Sequence, residues 1–118
     1  MPLDKDRIRL QHMLDHATEA IQMARNRARE DLDTDRRLNL SLVRLLEVVG
    51  EAAARVSEAT RRTHSQIAWA EIAGLRNRLV HGYDDVDFDI LWDIIQLDLP
   101  PLVATLTAIL RQRESEQN

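Results

Sequence analysis

A chain of 118 residues, 44% hydrophobic and 31% charged with 3 Gly and 3 Pro, has room for one modest core and favours helix over sheet. It contains no cysteine, which excludes a disulfide scaffold, a thiolate nucleophile and a thiolate metal site. A formal net charge of −4 argues against sequence-blind nucleic-acid binding through a global basic field, and two Trp, one Tyr and one Phe are too few for a base-stacking platform.

In chain order, Asp4 can cap a first helix running to about Leu32, with Leu10, Leu14, Ala17, Ile21, Ala24 and Ala28 as its apolar stripe. The acidic segment DLDTD, Asp31 to Asp35, breaks the pattern. A second helix is expected from about Arg36 to Arg62, its stripe being Leu38, Leu42, Leu45, Leu46, Val49, Ala53 and Val56. Each long helix needs a partner for its stripe, and an antiparallel hairpin of the two is the simplest arrangement. THSQ, Thr63 to Gln66, reads as a loop. A third helix is expected from about Trp69 to Val80, ended by Gly82. YDDVD is a turn from which Asp87 caps a helix through Ile90, Leu91, Ile94 and Ile95. Pro100 and Pro101 open or kink a last helix through Leu110, and RQRESEQN is a frayed polar tail. The expectation is one domain over residues 1–118, an all-α up-down bundle of about five helices. No apolar run approaches the length of a membrane span, and MPLDKDRIRL has no signal core, so a soluble cytoplasmic protein is expected.

Of the 16 basic residues, 15 are arginine and one is Lys5. The planar guanidinium fork suits phosphate and carboxylate, although codon bias alone gives the same preference. His12 and His16 stand at i and i+4, a spacing that can present two imidazoles to one metal. Met13 occupies the place where a metalloprotease helix carries Glu, and no third ligand is signalled, so they read as polar-face residues. Asp84, Asp85, Asp87 and Asp89 lack the central Gly and closing Glu of a calcium loop and read as caps and solubilising groups. No metal site or cofactor is expected. Trp69 and Trp92 read as packing residues. Glu47 and Glu51 share a helix face, where a like-charge pair is tolerated if an arginine lies near, and Glu51 is a candidate to orient one.

The polar load concentrates in RNRLVHGY, with Arg76, Asn77, Arg78, His81 and Tyr83 inside eight residues. Asn77 and His81 are one turn apart on a regular helix, whereas Arg76 and His81 differ by about 140° around its axis. Either the helix distorts near Gly82, or two copies of the chain supply the pieces. An imidazole can take and return protons, and a guanidinium can hold a phosphate and its transition state. Together they are the minimum parts for RNA cleavage in which the ribose 2′-hydroxyl is the nucleophile.

Arg76 to Tyr83 fits R-x-x-x-x-H-x-Y with Asn after the Arg, and so resembles the signature of HEPN-domain ribonuclease toxins of the HepT type. IAWAEIAGLRNRLVHGY, VDFDILWDIIQLDLPPL and VVGEAAARVS extend the resemblance from Val48 to Leu102. It departs from the family in HSQIAW, where a proline is frequent, and in the small Gly82. The resemblance implies an all-α homodimer with Arg76 and His81 of both chains in a cleft at the interface; by their spacing and chemistry Asn77, Arg78 and Glu51 are candidates to support it. It implies a metal-independent endoribonuclease, the toxin of a toxin–antitoxin pair, whose partner is a minimal nucleotidyltransferase antitoxin that transfers AMP to Tyr83. A non-catalytic dimeric HEPN module, a scaffold for that nucleotidyltransferase with Arg76 paired to Glu51, is the other reading.

Overall fold

The computed structural model describes residues 4–117. Met1–Leu3 and Asn118, the outer ends of the expected N-terminal stretch and polar tail, lie outside them. Among the described residues the chain is all-α apart from one two-residue strand pair. The elements are α1 (Lys5–Ala24), α2 (Asp31–Thr34), α3 (Arg36–Arg55), α4 (Glu58–Thr63), α5 (Trp69–Ala73), α6 (Leu75–Leu79), β1 (Val80–His81), β2 (Asp85–Val86), α7 (Phe88–Asp93) and α8 (Leu99–Gln117), with a π-helical turn, Ile94–Asp98, joining α7 to α8.

Three long pieces carry the core: α1, α3 and the α7–α8 rod. Asp6 of α1 meets Ser57 just past α3, while Glu19 and Met23 share a groove with Leu40 and Arg44, so α1 and α3 run antiparallel as expected. Arg113 of α8 pairs with Asp4, and Trp92 lies near Ile21, so the rod is antiparallel to α1 as well. Every residue of the expected α3 stripe is buried, together with Leu10, Met13, Ala17 and Ala20 of α1 and Leu91, Ile94, Ile95, Leu99, Leu102 and Leu106 of the rod. Each buried Leu or Ile contributes about 1.5–3 kcal/mol relative to exposure, so this seam dominates the stability.

The first helix stops at Ala24 rather than near Leu32. Arg25 is extended and Asn26 adopts a left-handed φ of 64°, a conformation Asn tolerates better than most residues. Ala28, the last residue of the expected stripe, is exposed and offers no burial to hold a further turn. Asp31 then accepts a hydrogen bond from Ala28 N at 2.7 Å and opens the single turn of α2. Buried Asn39 donates to Leu32 O at 2.8 Å and locks that turn onto α3.

The second helix likewise divides. Val56 is extended, and Ser57 caps the new helix α4 through Thr60 N. Asp6 fixes this corner by accepting from Ser57 N at 2.9 Å, from Ser57 Oγ and from Thr60 Oγ1.

Past Gly74 the third helix resumes as α6 and ends at Leu79, short of Val80, and the chain turns into a small hairpin pairing Val80 with Val86 and His81 with Asp85. Gly82 supplies the φ of +80° that this turn needs, and Asp87 N donates to Leu79 O at 2.8 Å. Asp87 caps α7 through Ile90 N, as the sequence suggests. Pro100 and Pro101 stand in the first turn of α8, which opens at Leu99 as the sequence suggests. The π turn widens the backbone just before them, with Leu99 N donating to Ile94 O, and so relieves the clash of the proline rings with the preceding turn. Arg111 to Gln117, expected to fray, continue α8. Within the rod Phe88–Glu116 one 18-residue window reaches a mean hydropathy of 1.4, enough to cross a membrane by length and composition alone. Its apolar side packs on α1 and the π turn, as a core helix does.

Candidate functional site

Arg76 and Arg78 lie on α6, His81 on β1, and Tyr83 at the hairpin tip. The helix therefore ends before His81. Arg76, Asn77, Arg78, His81 and Tyr83 are all exposed, and Tyr83 is 99% exposed. Leu75 and Leu79 on the opposite side are buried, so they fasten this ridge to the core. Among the described residues the five polar side chains share no hydrogen bond or ion pair with one another. What joins them is one continuous exposed edge.

Behind Arg76 stands a charge network on α3. Arg76 Nε lies 3.9 Å from Glu47 Oε1, and Arg44 Nη1 lies 3.4 Å from Glu47 Oε2 and 3.5 Å from Glu51 Oε1. Arg76 thus pairs with Glu47 rather than Glu51, and Glu51 engages Arg44. The like-charge pair on α3 is neutralised from both sides, as the shared face demands. These are exposed pairs of modest strength, about 0–1 kcal/mol each. Arg78 is held by Asp98 of the π turn at 3.7 Å, at the rim of a cavity of about 260 Å³ lined by Ile72, Leu75 and Leu97.

Gly50 sets the distance between this network and the ridge. A Cβ there would meet Ile72 O at 2.9 Å, so only glycine lets α3 approach α5 this closely. This contact, the Arg44 bridge and the Asp98 clamp escape sequence reasoning. Arg44 at i−3 from Glu47 was a usable signal, whereas Asp98 is 20 positions from Arg78 and gave none.

His12 and His16 stay on an outer face, His16 Nδ1 2.8 Å from His12 O. Among the described residues no three His, Asp or Glu side chains gather to hold a metal. Of the aspartates after Tyr83, Asp87 caps α7 and Asp89 pairs with Arg29 at 2.6 Å. Trp69 is buried and donates from Nε1 to His64 O at 3.0 Å.

Residues 13–109 match the family model described as "Ribonuclease HepT-like". A protein named "Putative RNase" in Caldanaerobacter subterraneus is 33% identical over 105 residues, which cover 89% of this chain and 94% of that protein. The "Probable ribonuclease HepT" of Thermococcus cleftensis is 33% identical over 93 residues, covering 75% of this chain and 84% of that protein. A "Putative RNase" of Methanocaldococcus jannaschii is 27% identical over 116 residues, covering 98% of this chain and 96% of that protein. No solved structure matches. With the helical bundle and the ridge of α6 and β1 described, the chain belongs to the HepT-like family of HEPN ribonucleases.

Proposed function

We propose that this protein is a metal-independent endoribonuclease, the toxin of a toxin–antitoxin pair, acting as a cytoplasmic homodimer. One observation carries the reading: Arg76, His81 and Tyr83 stand together on an exposed edge fastened to the core by Leu75 and Leu79. The ribose 2′-oxygen attacks the adjacent phosphorus, the P–O5′ bond breaks, and a 2′,3′-cyclic phosphate and a free 5′-hydroxyl leave. His81 takes the 2′ proton or delivers one to the leaving 5′-oxygen, and the two His81 of a dimer divide these tasks. Arg76 stabilises the charge that gathers on the phosphoryl oxygens. Neither the 260 Å³ cavity nor the groove between α1 and α3 is lined by Arg76, His81 or Tyr83, which stand on a ridge and so suit a cleft completed by a second chain. Asn77, Arg78 and Glu51 support the site, Glu51 by way of Arg44.

The partner is a minimal nucleotidyltransferase antitoxin that transfers AMP to Tyr83. Full exposure of the phenol at a hairpin tip suits an incoming enzyme. The added phosphate, beside His81 and Arg76, would compete with RNA for the same cations and repel its backbone.

The test is cleavage of RNA in EDTA by protein made without any partner, beside His81→Ala. Wild-type cleavage that falls about hundredfold or more in the variant is expected. Equal cleavage by both removes His81 from the chemistry. A second reading is a non-catalytic dimeric HEPN module for the nucleotidyltransferase. The pairing of Arg76 with Glu47 favours it, because an arginine spent on a carboxylate can be structural. Inertness of both proteins with Tyr83 unmodified by intact mass would establish that reading instead.

A further inference from the structure

Between the facing edges of α1 and α3 runs a groove of about 390 Å³, lined by Lys5, Ile8, Arg9, His12, Val48, Glu51, Ala52 and Arg55. Its walls carry three cations, Lys5, Arg9 and Arg55, against one carboxylate. That carboxylate, Glu51, is already engaged by Arg44 at 3.5 Å. This is a positive patch on a chain of net charge −4.

The cations are also free. Among the described residues Lys5, Arg9 and Arg55 form no ion pair; the same holds for other arginines such as Arg25 and Arg37, and what sets these three apart is that they line one groove. Arg9 donates to the backbone oxygen of Arg55 at 2.9 Å, at the C-terminal end of α3, and reaches no carboxylate among the described residues. The floor of Ile8, 40% exposed, Val48 and Ala52 is apolar and offers no base-specific donors.

Position gives the groove its meaning. Glu47, which contacts Arg76, and Glu51, which lines the groove, are one turn apart on α3, about 6 Å along its axis, and Arg55 lies a further turn on. A strand whose scissile phosphate sits at Arg76 and His81 would meet these cations within a few nucleotides.

We propose that the α1–α3 groove is a track for the phosphodiester backbone of single-stranded RNA flanking the cut, bound through Lys5, Arg9 and Arg55 without reading sequence. This rests on the ribonuclease reading above. An unpaired row of cations over an apolar floor suits a phosphate-and-sugar backbone, and the scarcity of aromatic residues leaves charge as the main source of affinity.

The test is fluorescence anisotropy of a labelled single-stranded RNA of mixed sequence, titrated across salt. It uses His81→Ala protein, so that binding is read without cleavage. Lys5→Gln with Arg55→Gln removes two exposed cations while Arg9 keeps its backbone contact. Arg25→Gln with Arg37→Gln makes the same charge change at the far end of the same two helices. The groove pair is expected to weaken binding about tenfold at low salt and to flatten the log–log salt slope by about 1.4, and the distal pair to change affinity less than about twofold. Equal effects of the two pairs, or none from the groove pair, overturn the proposal. The latter is also what a groove built for an acidic protein partner would give. Cleavage by the parent is scored separately. An inert parent that binds RNA through the groove leaves this proposal standing and removes the ribonuclease reading. A parent that cuts, but binds without the groove, does the reverse. No RNA binding at all overturns this proposal, and with an inert parent the ribonuclease reading as well.

Discussion

Gly50→Ala tests whether the close approach of α3 to α5 positions the site. In a helix interior this substitution is ordinarily stabilising by about 1 kcal/mol, because alanine has the better propensity and restricts the unfolded chain. Here the new methyl would sit 2.9 Å from Ile72 O, and ordinary contact begins near 3.4 Å, so a backbone segment has to move by about 0.5 Å. Overpacking against backbone costs about 1–3 kcal/mol. The net expectation is a loss of about 1 kcal/mol, seen as a lower urea midpoint at unchanged slope and a fall of about 3–6 °C in Tm. The same movement lengthens the 3.9 Å approach of Arg76 to Glu47, so RNA cleavage should change along with stability. A variant more stable than wild type by about 1 kcal/mol, with unaltered cleavage, would refute the close-approach argument, because only the propensity term would then be operating.

Asp6→Asn should cost about 1–2 kcal/mol at neutral pH by replacing an acceptor-only carboxylate beneath Ser57 N, Ser57 Oγ and Thr60 Oγ1 with an amide. Burial pushes the Asp6 carboxyl up, but those three hydrogen bonds together hold it below the usual value of 3.8. Its contribution is therefore complete above that value and lost as pH falls through the lowered one, so urea midpoints of wild type and variant should converge in strong acid; a constant gap would contradict this. Gly82→Ala meets no neighbour within 4 Å yet sits at φ +80°, so about 1 kcal/mol of backbone strain, and no steric clash, should appear as reduced stability of the hairpin in amide exchange. Tyr83→Phe, at a side chain 99% exposed, should leave Tm unchanged while abolishing the mass increments of about one AMP each when the nucleotidyltransferase and ATP are added; modification elsewhere would displace Tyr83 from its proposed role.

The core was legible where apolar spacing was strong. The stripe from Leu38 to Val56 is buried throughout, because each of its residues faces a partner helix. Element ends were less legible. Arg25–Arg29 carries no apolar residue apart from Ala28, so nothing in its pattern distinguished the left-handed break at Asn26 from more helix. Ser57 could have been recognised as a cap, since Thr60 follows it at the spacing of its accepted hydrogen bond. The ridge residues were visible as an unusual polar density, but their settings were not. That His81 would leave the helix for a strand depends on Val86 returning to pair with Val80. The choice of Glu47 over Glu51 for Arg76 depends on how α6 lies across α3.

The rod from Phe88 to Gln117 runs as one helical piece but is weakened near its middle by the π turn and the two prolines that follow it. Leu99 N reaches back five residues to Ile94 O, and the next two positions, Pro100 and Pro101, have no N–H to donate. The ladder of backbone hydrogen bonds lacks two rungs at that point, so α7 and α8 are tied together by fewer backbone bonds than a regular helix supplies. Opening of α8 from its C-terminal end should therefore stop at the prolines without reaching the hairpin, and amide protection should step up between Leu102 and Leu91 instead of declining smoothly along the rod. The segment that carries Tyr83 and His81 is thereby insulated from fraying at the end of the chain.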